Sequence, residues 1–265
     1  MIESVPDPEV KSPGDQQPLV LVPVSAEDFS RRRTRIGWIV GASIVVFLAA
    51  AGYIYKRTTD PVHAKESFDA GTRLFKSAHY NQATLSFDRA IALKPGFVEA
   101  YMMRGKAAAE QSEPEKALGD FSKVIELRPA DPAAWIERAS CYFALNNFQA
   151  AVADSSQAIA LNPKLASAYA QRGSAYRKSG DFKKALEDFN HAVDLEPSAP
   201  NYFERGSIHA LLGEHELAIA DFDRVIERIP DLPTAFFARA ESRHALGDEK
   251  GAERDHNQGR ILDGR

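Results

Sequence analysis

A single cysteine, Cys141, occurs in the 265 residues. One thiol cannot build a disulfide framework or a multi-cysteine metal site. Glycine (16) and proline (15) are too sparse for a collagen-like or low-complexity chain. Neither sign of charge dominates: 33 Lys and Arg stand against 37 Asp and Glu, a net charge of −4. That balance excludes a generic nucleic-acid binder. No phosphate-cradling glycine loop is present, and the seven histidines have no ligand spacing. His215-Glu216 lacks the second histidine of a zinc-protease helix. No catalytic residue, metal site or cofactor is assigned, and the chain is expected not to be an enzyme. What remains is ordinary globular usage, 44% apolar and 26% charged, distributed very unevenly.

Residues 1–30 hold Pro6, Pro8, Pro13, Pro18 and Pro23 and six acids against one base, Lys11. This composition predicts a disordered, proline-rich acidic tail, either a plain leader or a partner-binding arm. Residues 31–57 are different. Ile36–Tyr55 carries no charge, and twenty residues at 1.5 Å each span about the 30 Å of a hydrocarbon core. Trp38 at one end and Tyr53 and Tyr55 at the other suit the two interfaces. The pattern predicts a single transmembrane helix. Arg31, Arg32, Arg33 and Arg35 precede it, and only Lys56 and Arg57 follow closely. This bias places the N-terminus in the cytoplasm and the C-terminal part on the extracytoplasmic, periplasmic-like side. Cleavage near Ala49-Ala50-Ala51 is the rival reading and would make an exported soluble protein. Gly37 and Gly41 match a close-packing motif that could join two such helices in a homodimer.

From Ala64 to Leu262 the chain repeats itself. Pro95, Pro129, Pro163, Pro197 and Pro230 are separated by 34, 34, 34 and 33 residues. With these prolines at repeat position 32, repeats cover 64–97, 98–131, 132–165, 166–198, 199–232 and a degenerate 233–262. Position 8 is small throughout: Gly71, Gly105, Ala139, Gly173, Gly206, Ala240. Position 20 is always alanine, from Ala83 to Ala252, and position 4 is aromatic from Tyr101 to Phe236. Position 24 is Phe87, Phe121, Phe189 and Phe222, with Ser155 and His256 as exceptions. Apolar positions 4, 8 and 11 share one helix face, and 20, 24 and 27 share a face of the next. Small residues let the two axes approach. Ser179-Gly180-Asp181 and Leu246-Gly247-Asp248 read as turns, and Asp131-Pro132 as a capped helix start. The polar sixth repeat suits the end of a stack, and the residue missing between Pro197 and Tyr202 predicts a local kink.

The 34-residue period with these small, aromatic and proline positions resembles the tetratricopeptide repeat family. The resemblance implies an all-α, right-handed solenoid of helix-turn-helix repeats, here preceded by the transmembrane helix. It further implies that first helices line a concave face that binds a protein or peptide. Positions 5, 9 and 12 then form the candidate groove: Phe68, Thr72, Phe75, Met102, Lys106, Ile136, Ser140, Phe143, Ser174, Arg177, Phe203, Ser207, Phe237 and Glu241. Position 5 is equally open to a role in packing. Arginine at position 7 and aspartate at position 23 occur together in five repeats: Arg104 with Asp120, Arg138 with Asp154, Arg172 with Asp188, Arg205 with Asp221, Arg239 with Asp255. Repeat one has Ala70 and Ser86 instead. Joint appearance suggests an ion pair inside each repeat; independent solvated charges are the alternative. The function expected is a membrane-anchored scaffold. The alternatives are the exported binding protein and a receptor- or co-chaperone-like adaptor with its solenoid in the cytosol.

Overall fold

The computed structural model describes residues 46–49 and 60–264. The tail over 1–30, the basic flank, Gly37, Gly41 and all of Ile36–Tyr55 except 46–49 lie outside the described residues. Among the described residues no helix is long and apolar enough to cross a membrane. The chain divides between residues 58 and 59 into two units, and the architecture below is that of the second.

Twelve helices and no strand make up residues 60–264. They are α1 (60–76), α2 (Tyr80–Leu93), α3 (Val98–Glu110), α4 (Pro114–Leu127), α5 (Pro132–Ala144) and α6 (Phe148–Leu161). The second half holds α7 (Ala166–Lys178), α8 (Phe182–Leu195), α9 (Ala199–Leu211), α10 (His215–Arg228), α11 (Pro233–Ala245) and α12 (Glu249–Leu262). α1 is already helical at Asp60, four residues before the repeat frame begins. Each even helix from α2 to α10 stops two residues before a proline, where an extended residue is forced. Asp131, Asn147, Asp181 and Asp248 cap helix starts by accepting from backbone N–H groups.

All six turns inside the hairpins put one residue at positive φ. Gly180, Gly213 and Gly247 do so at 79–84°, and Ala78, Ser112 and Asn146 at 58°. The glycines are at ease there and asparagine tolerates it, whereas Ala78 and Ser112 hold a left-handed conformation that most L-residues disfavour.

Packing inside each hairpin centres on positions 8 and 24. A β-carbon on Gly71, Gly105, Gly173 or Gly206 would fall 2.6, 2.8, 2.9 or 3.0 Å from the ring of Phe87, Phe121, Phe189 or Phe222. Glycine is therefore required wherever position 24 carries a ring of that kind. The two hairpins with alanine at position 8, Ala139 and Ala240, carry Ser155 and His256 instead. The two positions vary together because they share one volume.

The short α8–α9 junction has its own device. Position 3 is a fully buried alanine at Ala100, Ala134, Ala168 and Ala235, but Asn201 in the fifth repeat. Its side-chain amide donates to the carbonyls of Ala192 (3.3 Å) and Glu196 (2.9 Å) at the end of α8. The larger residue closes a helix terminus that a longer loop would otherwise cover.

From α3 onward, each odd helix touches the next odd helix, while successive even helices do not touch. The odd layer is thus the tighter one, and the stack bends toward it. Odd helices line the concave side. The last helix, α12, buries Gly251, Ala252, Asp255 and Gly259 and turns polar residues outward, as an uncovered end demands.

Candidate partner-binding surface

An arginine ladder sets the helices that build this surface. Nε and Nη2 of Arg104, Arg138, Arg172, Arg205 and Arg239 donate to the two carboxylate oxygens of Asp120, Asp154, Asp188, Asp221 and Asp255. All ten distances lie between 2.6 and 2.9 Å. The five aspartates are buried, each only 3–6% exposed. Each guanidinium also faces the position-4 ring of its own helix at 5.0–5.8 Å, from Tyr101 to Phe236. Hydrogen bonding to aspartate raises the pKa of Arg138, Arg172 and Arg205, against the opposing effect of burial.

The pairs lie within repeats, and a third donor reaches back to the previous repeat. Nη1 donates to Ser122 (3.2 Å) from Arg138, to Ser156 (3.1 Å) from Arg172 and to Asn190 (3.2 Å) from Arg205. Asp88 and Asp223 take the same role for Arg104 and Arg239. These acceptors all occupy repeat position 25, which sequence reasoning passed over. The signal was available: position 25 reads Asp88, Ser122, Ser156, Asn190, Asp223 and Asn257, short and polar every time.

Position 5 of the expected groove is half-buried and packs on its own hairpin, and at Met102 on the next hairpin as well. Phe68 lies 5.8 Å from Phe87 and 4.9 Å from Phe97, Phe203 5.7 Å from Phe222, and Phe237 5.9 Å from His256. Met102 sits between two buried clusters, one around Val124 and one around Phe121. Ile136 is half-buried on α5. At position 12, Phe75 and Phe143 meet Tyr80 and Phe148 edge-on at 5.3 and 5.5 Å, at the turns.

At position 9 the hydroxyls of Thr72, Ser140 and Ser207 bond to carbonyls of their own helices, at 2.8–3.1 Å. Ser174 is half-buried, and Glu241 is exposed on α11. Two groove cations are engaged across repeats: Lys106 with Glu137 (2.9 Å) and Arg177 with Glu204 (3.1 Å). Glu137 and Glu204, both at position 6, were not among the expected groove residues. Between the two bridges, α5 and α7 present Ile136, Ser140, Ala170 and Ser174, a small neutral stretch. Beside it, a hollow of about 340 Å3 is lined by Glu137, Ser140, Cys141 and four neighbours. Burial, with Glu137 nearby, pushes the Cys141 thiol up to about 11, so it is not poised as a nucleophile. Among the described residues no group of three His, Cys, Asp or Glu could hold a metal ion.

Sequence profiles of the tetratricopeptide repeat match residues 68–132, 104–166, 166–198 and 199–232. The chain belongs to the tetratricopeptide repeat family. No curated protein matches it in sequence. PilF of Pseudomonas aeruginosa shares the fold with a TM-score of 0.67 at 13% identity, over 77% of this chain and 93% of its own. MamA of Desulfovibrio magneticus RS-1 gives 0.58 at 23% identity, over 62% and 94%. YrrB, a TPR protein with an unusual peptide-binding site, gives 0.56 at 20% identity, over 66% and 91%. At these identities the likeness concerns the fold. A tetratricopeptide solenoid of this kind is consistent with a protein-interaction scaffold.

Proposed function

We propose that this tetratricopeptide repeat protein is a membrane-anchored scaffold holding a protein or peptide partner on the concave side of its solenoid. The observation that carries the reading is the neutral stretch on α5 and α7, flanked by the Lys106–Glu137 and Arg177–Glu204 bridges. A polypeptide can lie there without displacing an ion pair. Phe203 and Phe237 are poor probes of this idea, because their rings pack on Phe222 and His256. Ser140→Glu with Ser174→Glu places two charges on the neutral stretch instead. Recovery of cross-linked partners on the full-length protein should fall about tenfold, equivalent to 1.4 kcal/mol, with circular dichroism unchanged. Equal recovery would refute the concave reading.

Anchoring is the second part of the proposal. It rests on the charge-free Ile36–Tyr55 and the arginines before it. The N-terminus is then cytoplasmic and the solenoid extracytoplasmic, with Gly37 and Gly41 available to a second copy. The exported reading is favoured by Ala49-Ala50-Ala51. N-terminal sequencing of the mature protein is expected to find the span retained. A start near Gly52 would make the protein an exported binder. Protease added to intact spheroplasts should degrade the solenoid; full protection would place it in the cytosol.

A further inference from the structure

A groove of about 770 Å3 opens on the other face of the solenoid, between α2 and α4, with α3 as its floor. That volume is in the range of sites that hold organic ligands or side chains. Leu85 of α2, 61% exposed, forms one wall, and Lys116 and Gly119 of α4 form the other. Tyr101, Arg104 and Ala108 lie beneath.

The groove exists because the second repeat is small at two positions. Position 11 is long in every other repeat: Leu74, Tyr142, Tyr176, His209 and Arg243. In the second it is Ala108. Position 22 of the same repeat is Gly119, and nothing lies within 4 Å of where a β-carbon would stand.

The third and fourth repeats indicate what belongs in such a groove. There the position-11 ring packs beneath cations of its own repeat. Tyr142 lies 5.8 Å from the Arg138 guanidinium, and Tyr176 lies 5.3 Å from the Lys184 ammonium. The second repeat keeps both cation positions, as Arg104 at 7 and Lys116 at 19, and lacks only the ring. Arg104 is accordingly the most exposed ladder arginine, with 26% of its side chain accessible against 14–22% for the others.

We propose that this groove receives an aromatic side chain, tyrosine or phenylalanine, from a partner polypeptide. The ring enters beside Ala108 and Gly119, takes the place that Tyr142 and Tyr176 hold in their repeats, and stacks with Arg104 and Lys116. The partner's backbone crosses the Leu85 side. This surface is separate from the concave face, so the two readings fail independently.

The test uses the full-length protein with 13C-labelled alanine and leucine methyls, titrated with N-acetyl-tyrosinamide, N-acetyl-phenylalaninamide and N-acetyl-leucinamide. Both aromatic amides should move the Ala108 and Leu85 methyl signals through ring-current shifts, and the leucine amide should not. Lys116→Ala should weaken the tyrosinamide response about threefold. Ala108→Tyr supplies the ring in cis, a residue that two other repeats already accommodate, and should abolish the response at Leu85. If that variant fails to fold, Lys116→Ala and the leucine amide still decide. Unmoved methyls up to the solubility limit, an equal response to leucinamide, or a response surviving Ala108→Tyr would overturn the proposal. So would Leu85 signals that move with protein concentration alone, which would assign the groove to a second copy of this chain.

Discussion

Ser155→Phe alone should destabilise the solenoid, whereas Ser155→Phe combined with Ala139→Gly should stabilise it. The ring introduced by the single change meets the Ala139 β-carbon, in a hairpin where Phe87, Phe121, Phe189 and Phe222 face glycine. Overpacking of that kind costs about 1–3 kcal/mol. The double change rebuilds the arrangement of the neighbouring hairpins. It buries a phenyl ring, worth about 2–3 kcal/mol, and removes the Ser155 hydroxyl, which is fully buried with no hydrogen-bond partner. Against this, glycine within α5 loses about 1 kcal/mol relative to alanine. The coupling between the two sites should therefore exceed about 2 kcal/mol, read from denaturant melts of the four chains in a double-mutant cycle. The mirror experiment is Gly173→Ala, which should destabilise by about 1–3 kcal/mol against Phe189. Additive effects would show that the two positions do not share a volume.

Asp188→Ala should cost about 3 kcal/mol, the low end for breaking a buried ion pair. It leaves the Arg172 fork, 22% accessible, without the carboxylate that accepts its Nε and Nη2. The low end applies because the guanidinium can still reach solvent and Ser156. Arg172→Met with Asp188→Leu should recover most of the loss, since matched apolar groups often replace a buried pair without penalty. A thermal melt of Asp188→Ala within 0.5 kcal/mol of the parent would mean the pair is as weak as a surface bridge.

Much of this architecture was legible in the chain because period and chemistry coincide. The prolines mark the ends of even helices for a local reason, the residue before each being barred from helix. Arginine and aspartate could be paired on paper because Ala70 and Ser86 lose both partners at once. Position 25 escaped notice because its residues are polar and differ in kind, so hydrophobic periodicity carries no trace of them. Ser155 and His256 looked like exceptions. They become a rule only when Ala139 and Ala240 are seen to occupy space that a phenyl ring takes elsewhere. Lys106 and Arg177 point to glutamates one repeat onward, a contact between repeats that spacing within a repeat cannot reveal. Asn201 was invisible for a similar reason, since its partners lie across a junction one residue short.

The backward reach of the Nη1 groups gives the stack a polarity. Each ladder arginine leans on the hairpin before it and asks nothing of the one after. Trimming hairpins from the C-terminal end removes each arginine with its aspartate and leaves only a small position-25 acceptor, which water can satisfy. Trimming from the other end strands a guanidinium donor at every new boundary. The two termini are therefore unequal places to shorten, extend or graft this protein, and growth by adding units is easier downstream than upstream.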